Sequence, residues 1–169
     1  DVKSLPVDTF HSLAIKALNK LANTINVKNP KTILKPEERR DIITKIKNEN
    51  PKILEDLKFS DQMPSNVLKY VDQIREQLID PEDAAVEASE KGDIITIAYA
   101  DVYKLYEDYL TQHSLVDFPR MIHYAYKAFA LDASKNKSYV GQFKHILIDE
   151  YQDINFAQKS LIDELLKGG

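Results

Sequence analysis

A mainly α-helical fold with few short strands is what this sequence predicts, and three observations carry the prediction. Apolar residues recur at three- and four-residue spacing, as in Leu13, Ala14, Ala17, Leu18 and Leu21, or Val67, Leu68, Val71, Ile74 and Leu78. That is the period of a helix with one buried face. Prolines stand beside acids in Pro36-Glu37-Glu38 and Asp80-Pro81-Glu82-Asp83. Proline fits the first helical turn, and carboxylates favour the positive end of the helix dipole. The clearest β signal is one short run, Ile146-Leu147-Ile148, β-branched at both ends. It is too short for a helix and reads as a strand buried on both faces.

The elements follow in order. Leu5 to Val7 suits a short strand, and Asp8 or Thr9 can cap the helix that follows by accepting from its free amides. Lys16 and Lys20 lie off that helix's apolar face, and no acid occurs from Thr9 to Pro36. This is the best electrostatic candidate for a phosphate contact, set against a lysine face that is merely solvated. Thr24 to Leu34 lacks periodicity and contains Asn29-Pro30, so it reads as a loop.

Pro36 opens a helix with Ile42, Ile43 and Ile46 inward, and Pro51 a short one through Ile53, Leu54 and Leu57. Phe59 to Pro64 is a turn. Ser65 or Asn66 then caps a helix carrying Val67 to Ile79. The helix from Pro81 should close at Gly92, a residue suited to the left-handed C′ position. Asp93 to Ala98 is β-branched and fits either an extended segment or a helix lead-in.

Ala98 to His113 is helical, and its tyrosines are expected in the core with their hydroxyls reaching outward, not as a base-stacking platform. Asp117 can cap the next helix, with Met121, Ile122, Ala125 and Phe129 buried and His123 on the surface. Leu131 to Gly141 reads as a polar loop. Asn155 caps a last helix with Phe156, Leu161, Ile162, Leu165 and Leu166 inward.

With 169 residues and 43% hydrophobic content, the chain can bury an ordinary core. Charged residues make up 30% and the net charge is -4. This is a globular composition, without the basic excess that announces nucleic-acid binding, although a local stripe suffices for that. The absence of cysteine excludes disulfides and thiolate metal sites and suits an intracellular, cytoplasmic protein. The four histidines have no zinc-like spacing. No apolar run reaches transmembrane length and no signal-peptide pattern opens the sequence, so a membrane is not an expected partner. The chain starts without Met and ends at Gly168-Gly169 just after a helix, and is expected to be a piece of a longer protein.

The chemistry concentrates where the apolar run stops, at Asp149-Glu150. In open parallel α/β sheets, ligands bind outside the carboxyl ends of the strands. A hydrophobic strand ending in two carboxylates suits a Mg²⁺–nucleotide site, because Mg²⁺ prefers carboxylate and water oxygens. Asp149 would hold the ion. Glu150 would orient or deprotonate a water for attack on a γ-phosphate. An Asp-Glu pair by itself is often just a solvated turn, so the longer string decides.

That string, Asp149-Glu150-Tyr151-Gln152-Asp153-Ile154-Asn155, closely resembles motif II, the Walker B element, of the UvrD/Rep-type superfamily 1 DNA helicases. Val7-Asp8-Thr9-Phe10-His11-Ser12-Leu13-Ala14 resembles the TFHSLA segment, motif Ib, of the same family. Leu115-Val116-Asp117-Phe118-Pro119-Arg120-Met121-Ile122 is similar to a third family stretch. It departs at Pro119 and Arg120, where acids are usual, so the roles of those acids are not carried over.

The resemblance implies remnants of a RecA-like P-loop α/β motor domain at 1–24 and 117–169. Between them, 25–116 would form an inserted helical subdomain of the 1B type. It implies ATP and Mg²⁺ as cofactors of the full-length protein, with Asp149 and Glu150 at the ion, Glu150 catalytic, and Gln152 and Asp153 as neighbours in the nucleotide site. It places Thr9, Phe10 and His11 near single-stranded DNA, with Lys16 and Lys20 as phosphate contacts. Single-stranded DNA, a duplex junction and the remaining helicase domains in cis are the implied partners, and translocation is implied to run from 3′ to 5′.

The only glycines are Gly92, Gly141, Gly168 and Gly169, and none opens a phosphate-cradling G-x-x-x-x-G-K-[ST] loop. The isolated chain is therefore expected to bind no nucleotide, hydrolyse no ATP and unwind no DNA. Its motor-domain strand, short of neighbours, is expected to expose edges through which copies can associate. Two other readings compete: the helicase part of a recombination helicase–nuclease, and a non-catalytic helical binding module.

Overall fold

The structure, a computed structural model, describes residues 7–21, 25, 32–54, 63–135 and 139–167. It divides into two compact units, Asp1–Pro30 with Arg120–Gly169 and, between these in sequence, Lys31–Pro119. The regular elements of the described residues are mainly helices: α1 (Phe10–Leu21), α2 (Pro36–Glu49), α3 (Met63–Glu76), α4 (Pro81–Lys91), α5 (Ile94–His113), α6 (Phe118–Lys135) and α7 (Phe156–Leu166). Two short strands, β1 (Thr32–Ile33) and β2 (Leu115–Val116), and four-residue or shorter 3₁₀ turns complete them. The mainly α class expected from the sequence is the one observed.

The unit Lys31–Pro119 holds α2, α3, α4 and α5. Its core is built from Ile42, Ile43 and Ile46 of α2, Met63, Val67, Leu68 and Val71 of α3, Ala84 of α4, and Ala98, Val102, Tyr103, Tyr106 and Leu110 of α5. Local signals set the boundaries. Pro36 stands in the first turn of α2, and the Glu38 carboxylate accepts from the Lys35 amide at 2.7 Å. Gly92 ends α4 with φ 70, the left-handed conformation that glycine adopts without a Cβ clash. Asp93 caps α5 by accepting from the Thr96 amide at 2.9 Å, so the ambiguous stretch after Gly92 is helical.

Several boundaries differ from the sequence reading. The first helix of the Val67 stripe begins at Met63, with Pro64 in its opening turn where a missing N–H costs nothing. It stops before Leu78, which takes φ 60 while the Ile79 amide reaches back to the Ile74 carbonyl at 3.2 Å. This is a Schellman closure with leucine where glycine is usual. Thr32 and Ile33, read as loop, pair in parallel with Leu115 and Val116. The partner lies far along the chain, so no local pattern announces the strand. Pro51–Leu54 is a 3₁₀ turn, and Leu57 and most of the turn before Pro64 fall outside the described residues.

Charge also enters this core. Arg75 of α3 is 1% exposed, and its guanidinium donates to both oxygens of Asp117, each at 2.9 Å. Asp117, 0% exposed, also accepts from Tyr106 Oη at 2.8 Å and pairs with Arg39 Nε at 2.9 Å. Arg75 further contacts Glu107, and Arg39 donates to Asp72 at 3.1 Å. Burial disfavours both guanidinium charges, but Asp117 and the neighbouring acids outweigh it, so Arg39 and Arg75 are held above their ordinary pKa. The same burial pushes the Tyr103 and Tyr106 phenols upward.

In the other unit, Ala14, Ala17, Leu18 and Leu21 of α1 are buried. So are Met121, Ile122, Ala125 and Phe129 of α6, and Ala157, Leu161, Ile162 and Leu165 of α7. The helix expected to stop near Leu131 continues to Lys135, because Asp132 turns inward, 2% exposed, and accepts the Tyr139 and Val140 amides at 2.7 and 3.0 Å. His123, expected on the surface, is buried at 3% exposure. Phe156 and Leu166, expected inward, are exposed, since they flank the Ala157–Leu161–Leu165 stripe instead of lying in it. Leu5 and Pro6 of the expected first strand lie outside the described residues, and Val7 is exposed and in no strand.

The run Ile146–Ile148 corrects the strand expectation. It belongs to no ladder among the described residues, and it is not buried on both faces. Ile146 and Ile148 turn partly inward while Leu147 is 96% exposed, the alternation of a one-faced extended segment.

Removing Asp117 leaves Arg75 buried without its main counter-charge. Asp117→Ala is expected to cost about 3–5 kcal/mol in urea unfolding. Asp163→Ala, which breaks the surface pair with Lys159, should leave the midpoint nearly unchanged. Equal midpoints for wild type and Asp117→Ala would show that the buried charges add no net stability.

Candidate functional site

The extended segment 146–148 delivers Asp149 and Glu150 to the surface, both exposed. Glu150 takes φ 49, ψ 42, a left-handed conformation shared among non-glycine described residues only with Leu78 and Ser114. Three hydrogen bonds fix it. Asp149 Oδ1 accepts the Glu150 amide at 3.0 Å, the Glu150 carbonyl accepts the Asp153 amide at 2.9 Å, and the Gln152 side-chain amide donates to Glu150 Oε2. A 3₁₀ turn, Tyr151–Asp153, then leads into α7. There Asn155 and Gln158 cap each other reciprocally at 2.9 and 3.1 Å, so the exit from the turn is fixed as well.

This arrangement leaves Asp149 Oδ2 and Glu150 Oε1 without a partner among the described residues. Two exposed residues, each with one uncommitted carboxylate oxygen, fit Mg²⁺, which takes one or two protein carboxylates and completes its shell with phosphate and water. No group of three or more His, Asp or Glu that could hold an ion occurs among the described residues.

At the other end of the chain, Thr9 Oγ1 accepts the Ser12 amide at 3.2 Å and caps α1. Asp8 accepts from Ser12 Oγ at 2.8 Å and from Lys16 Nζ at 2.6 Å, and the Lys16 and Ser12 bonds hold its carboxyl below the usual range. Lys16 is thus already paired. Lys20 Nζ sits 5.3 Å from the centre of the Tyr139 ring. Phe10 and His11 are half-buried, and burial lowers the His11 pKa from its ordinary 6.5.

Thr9, Phe10 and Asp149 share one cleft of about 340 Å³, together with Ile146, Leu147 and Ile148. Lys16 and Lys20 border a second cleft of about 480 Å³, which also includes Asp8. Glu150, Gln152, Asp153 and His11 line neither of these two. Sequence reasoning missed the role of Arg75, whose spacing from Leu68 and Val71 is that of a core position, and assigned Asp117 only a capping role.

A family model described as the UvrD/REP helicase N-terminal domain matches residues 1–169. The chain belongs to the UvrD/REP helicase family. Among its UvrD/REP relatives is the ATP-dependent DNA helicase PcrA of Staphylococcus epidermidis, to which it is 29% identical over 157 residues. PcrA of Staphylococcus aureus is equally similar, 29% over 157 residues. Each alignment covers 92% of this chain and 20% of the relative, so the chain spans about a fifth of the length of the relatives it matches. No helix among the described residues is long and apolar enough to cross a membrane.

Two outcomes follow from the local geometry. At position 150, glycine should be more stabilising than alanine by about 1 kcal/mol, because only alanine carries a Cβ into the left-handed region; equal melting of Glu150→Gly and Glu150→Ala would contradict the assigned backbone. For His11, the lowered folded pKa means that protonation favours the unfolded chain. Its contribution to stability is complete above pH 6.5 and is lost as pH falls through the folded pKa. His11→Gln should flatten the pH dependence of the denaturation midpoint below pH 6.5, and an unchanged profile would assign that dependence elsewhere.

Proposed function

We propose that this chain is part of the first motor domain of an ATP-dependent DNA helicase. Residues 1–24 and 117–169 supply motor-domain segments, and 25–116 a helical insertion of the 1B type. The observation that carries this reading is the shared cleft of Thr9, Phe10 and Asp149, which joins the two motif-like strings from opposite ends of the chain. The family membership and the PcrA relatives support it.

In this reading Asp149 would hold Mg²⁺ through Oδ2, its other oxygen being committed to the Glu150 amide. When bound, such an ion would supply neutralisation of phosphate charge. Glu150 takes a proton from the attacking water at Oε1, while Gln152 fixes Oε2 and so the plane of the carboxylate. Asp153 holds the turn through its amide. Thr9, Phe10 and His11 lie along single-stranded DNA, with Lys20 and, after release from Asp8, Lys16 at phosphates. The full protein would act in the cytoplasm on single strands and duplex junctions, with translocation from 3′ to 5′, and would draw the phosphate loop from its other segments in cis.

In the full-length parent, Glu150→Gln is expected to lower DNA-stimulated ATPase by roughly 10²–10⁴-fold while DNA binding persists. Unchanged ATPase would remove the assignment. The 169-residue chain alone should show no ATPase above its own Glu150→Gln control.

A further inference from the structure

The second cleft, about 480 Å³, has the size of a small-ligand site. Lys16, Asn19 and Lys20 of α1 form one side, and Tyr139, Gln142 and Phe143 the other. Its charge is local and simple. Asp8 neutralises Lys16 at 2.6 Å, which leaves the Lys20 ammonium, held 5.3 Å from the Tyr139 ring centre. The side-chain amides of Asn19 and Gln142 are exposed and make no hydrogen bond among the described residues.

The aromatic wall is fixed in advance of any ligand. Buried Asp132 accepts the Tyr139 and Val140 amides at 2.7 and 3.0 Å, which sets the turn. Phe129 stacks on Tyr139 at 5.3 Å, and the partly exposed Phe143 tilts against Tyr139 at 5.8 Å. A partly exposed aromatic ring, Phe143, two side-chain amides and one positioned cation in one cleft match the repeating unit of a single nucleic-acid strand: a base with a hydrogen-bonding edge, then a phosphate.

We propose that this cleft is a nucleotide subsite for single-stranded DNA, in which Phe143 stacks a base, Asn19 and Gln142 meet its edge, and Lys20 takes a neighbouring phosphate. The assignment rests on the helicase reading and extends it to residues outside the recognisable motifs. Until Asp8 releases it, Lys16 stands in the wall of the cleft, and the subsite does not use its charge.

The test uses the full-length parent and a fluorescent oligo-dT, with anisotropy measured over a salt series. Phe143→Leu is expected to weaken binding on the order of ten-fold with the salt slope unchanged. Lys20→Gln should reduce the log–log salt slope by about 0.7, as one lost phosphate contact does on single strands. A merely structural role for either residue would not separate affinity from slope in this way. In the unmutated protein, an oligo-dT carrying 5-iodouracil should photo-crosslink within Tyr139–Phe143. Crosslinks confined to other segments, or oligo-dT affinity and slope indifferent to both substitutions, would overturn the subsite while Glu150-dependent ATPase leaves the helicase reading intact. A parent that binds no oligo-dT at all would overturn both.

Discussion

Asp117 is a carboxylate without access to water, and the inserted unit depends on how its charge is answered. Arg75 from α3, Arg39 from α2 and the Tyr106 hydroxyl from α5 all converge on it. Each of these groups would be costly to bury alone. Together they satisfy one another and fix three helices against the segment that follows β2. Leucine and isoleucine contacts can slide past one another; a guanidinium donating to Asp117 and Glu107 cannot be displaced without leaving donors unmet. The packing of Val67, Val71, Val102 and Leu110 is therefore held in one register by a polar cluster at its edge.

Much of this fold was legible from residue spacing and end signals. The apolar stripes of α1, α2, α5 and α7 gave most of the buried positions, and Pro36, Gly92 and Asn155 marked helix ends through chemistry local to the chain. What escaped was decided by distant partners. Thr32-Ile33 becomes a strand only because Leu115-Val116 comes beside it. The burial of Arg75 makes sense only once Asp117 is placed on it, and His123 and Asp132 become interior through tertiary neighbours that the local pattern does not contain.

The site shows the same division. The strings around Thr9 and Asp149 were recognisable as residues in order, yet nothing in their spelling revealed that they border one cleft. The local spelling also concealed the left-handed turn at Glu150. Consecutive carboxylates in an extended chain would point to opposite faces. The positive φ at Glu150 breaks that alternation, and the Gln152 amide then restricts one carboxylate. Backbone strain at a non-glycine residue persists where surrounding bonds impose it, and here three bonds within five residues do so.

The parallel pairing of β1 with β2 has a topological consequence. Thr32 lies in register with Leu115, so the chain passes the same point twice, heading the same way each time. Neighbouring strands are separated by only about 4.8 Å. A junction from Thr32 into Val116 would therefore keep the direction of the chain and shift it by about one strand spacing. Lineages could enlarge, replace or delete the loop-out between them without re-threading the flanking polypeptide, which is the kind of junction at which modular variation is least costly to a folded protein.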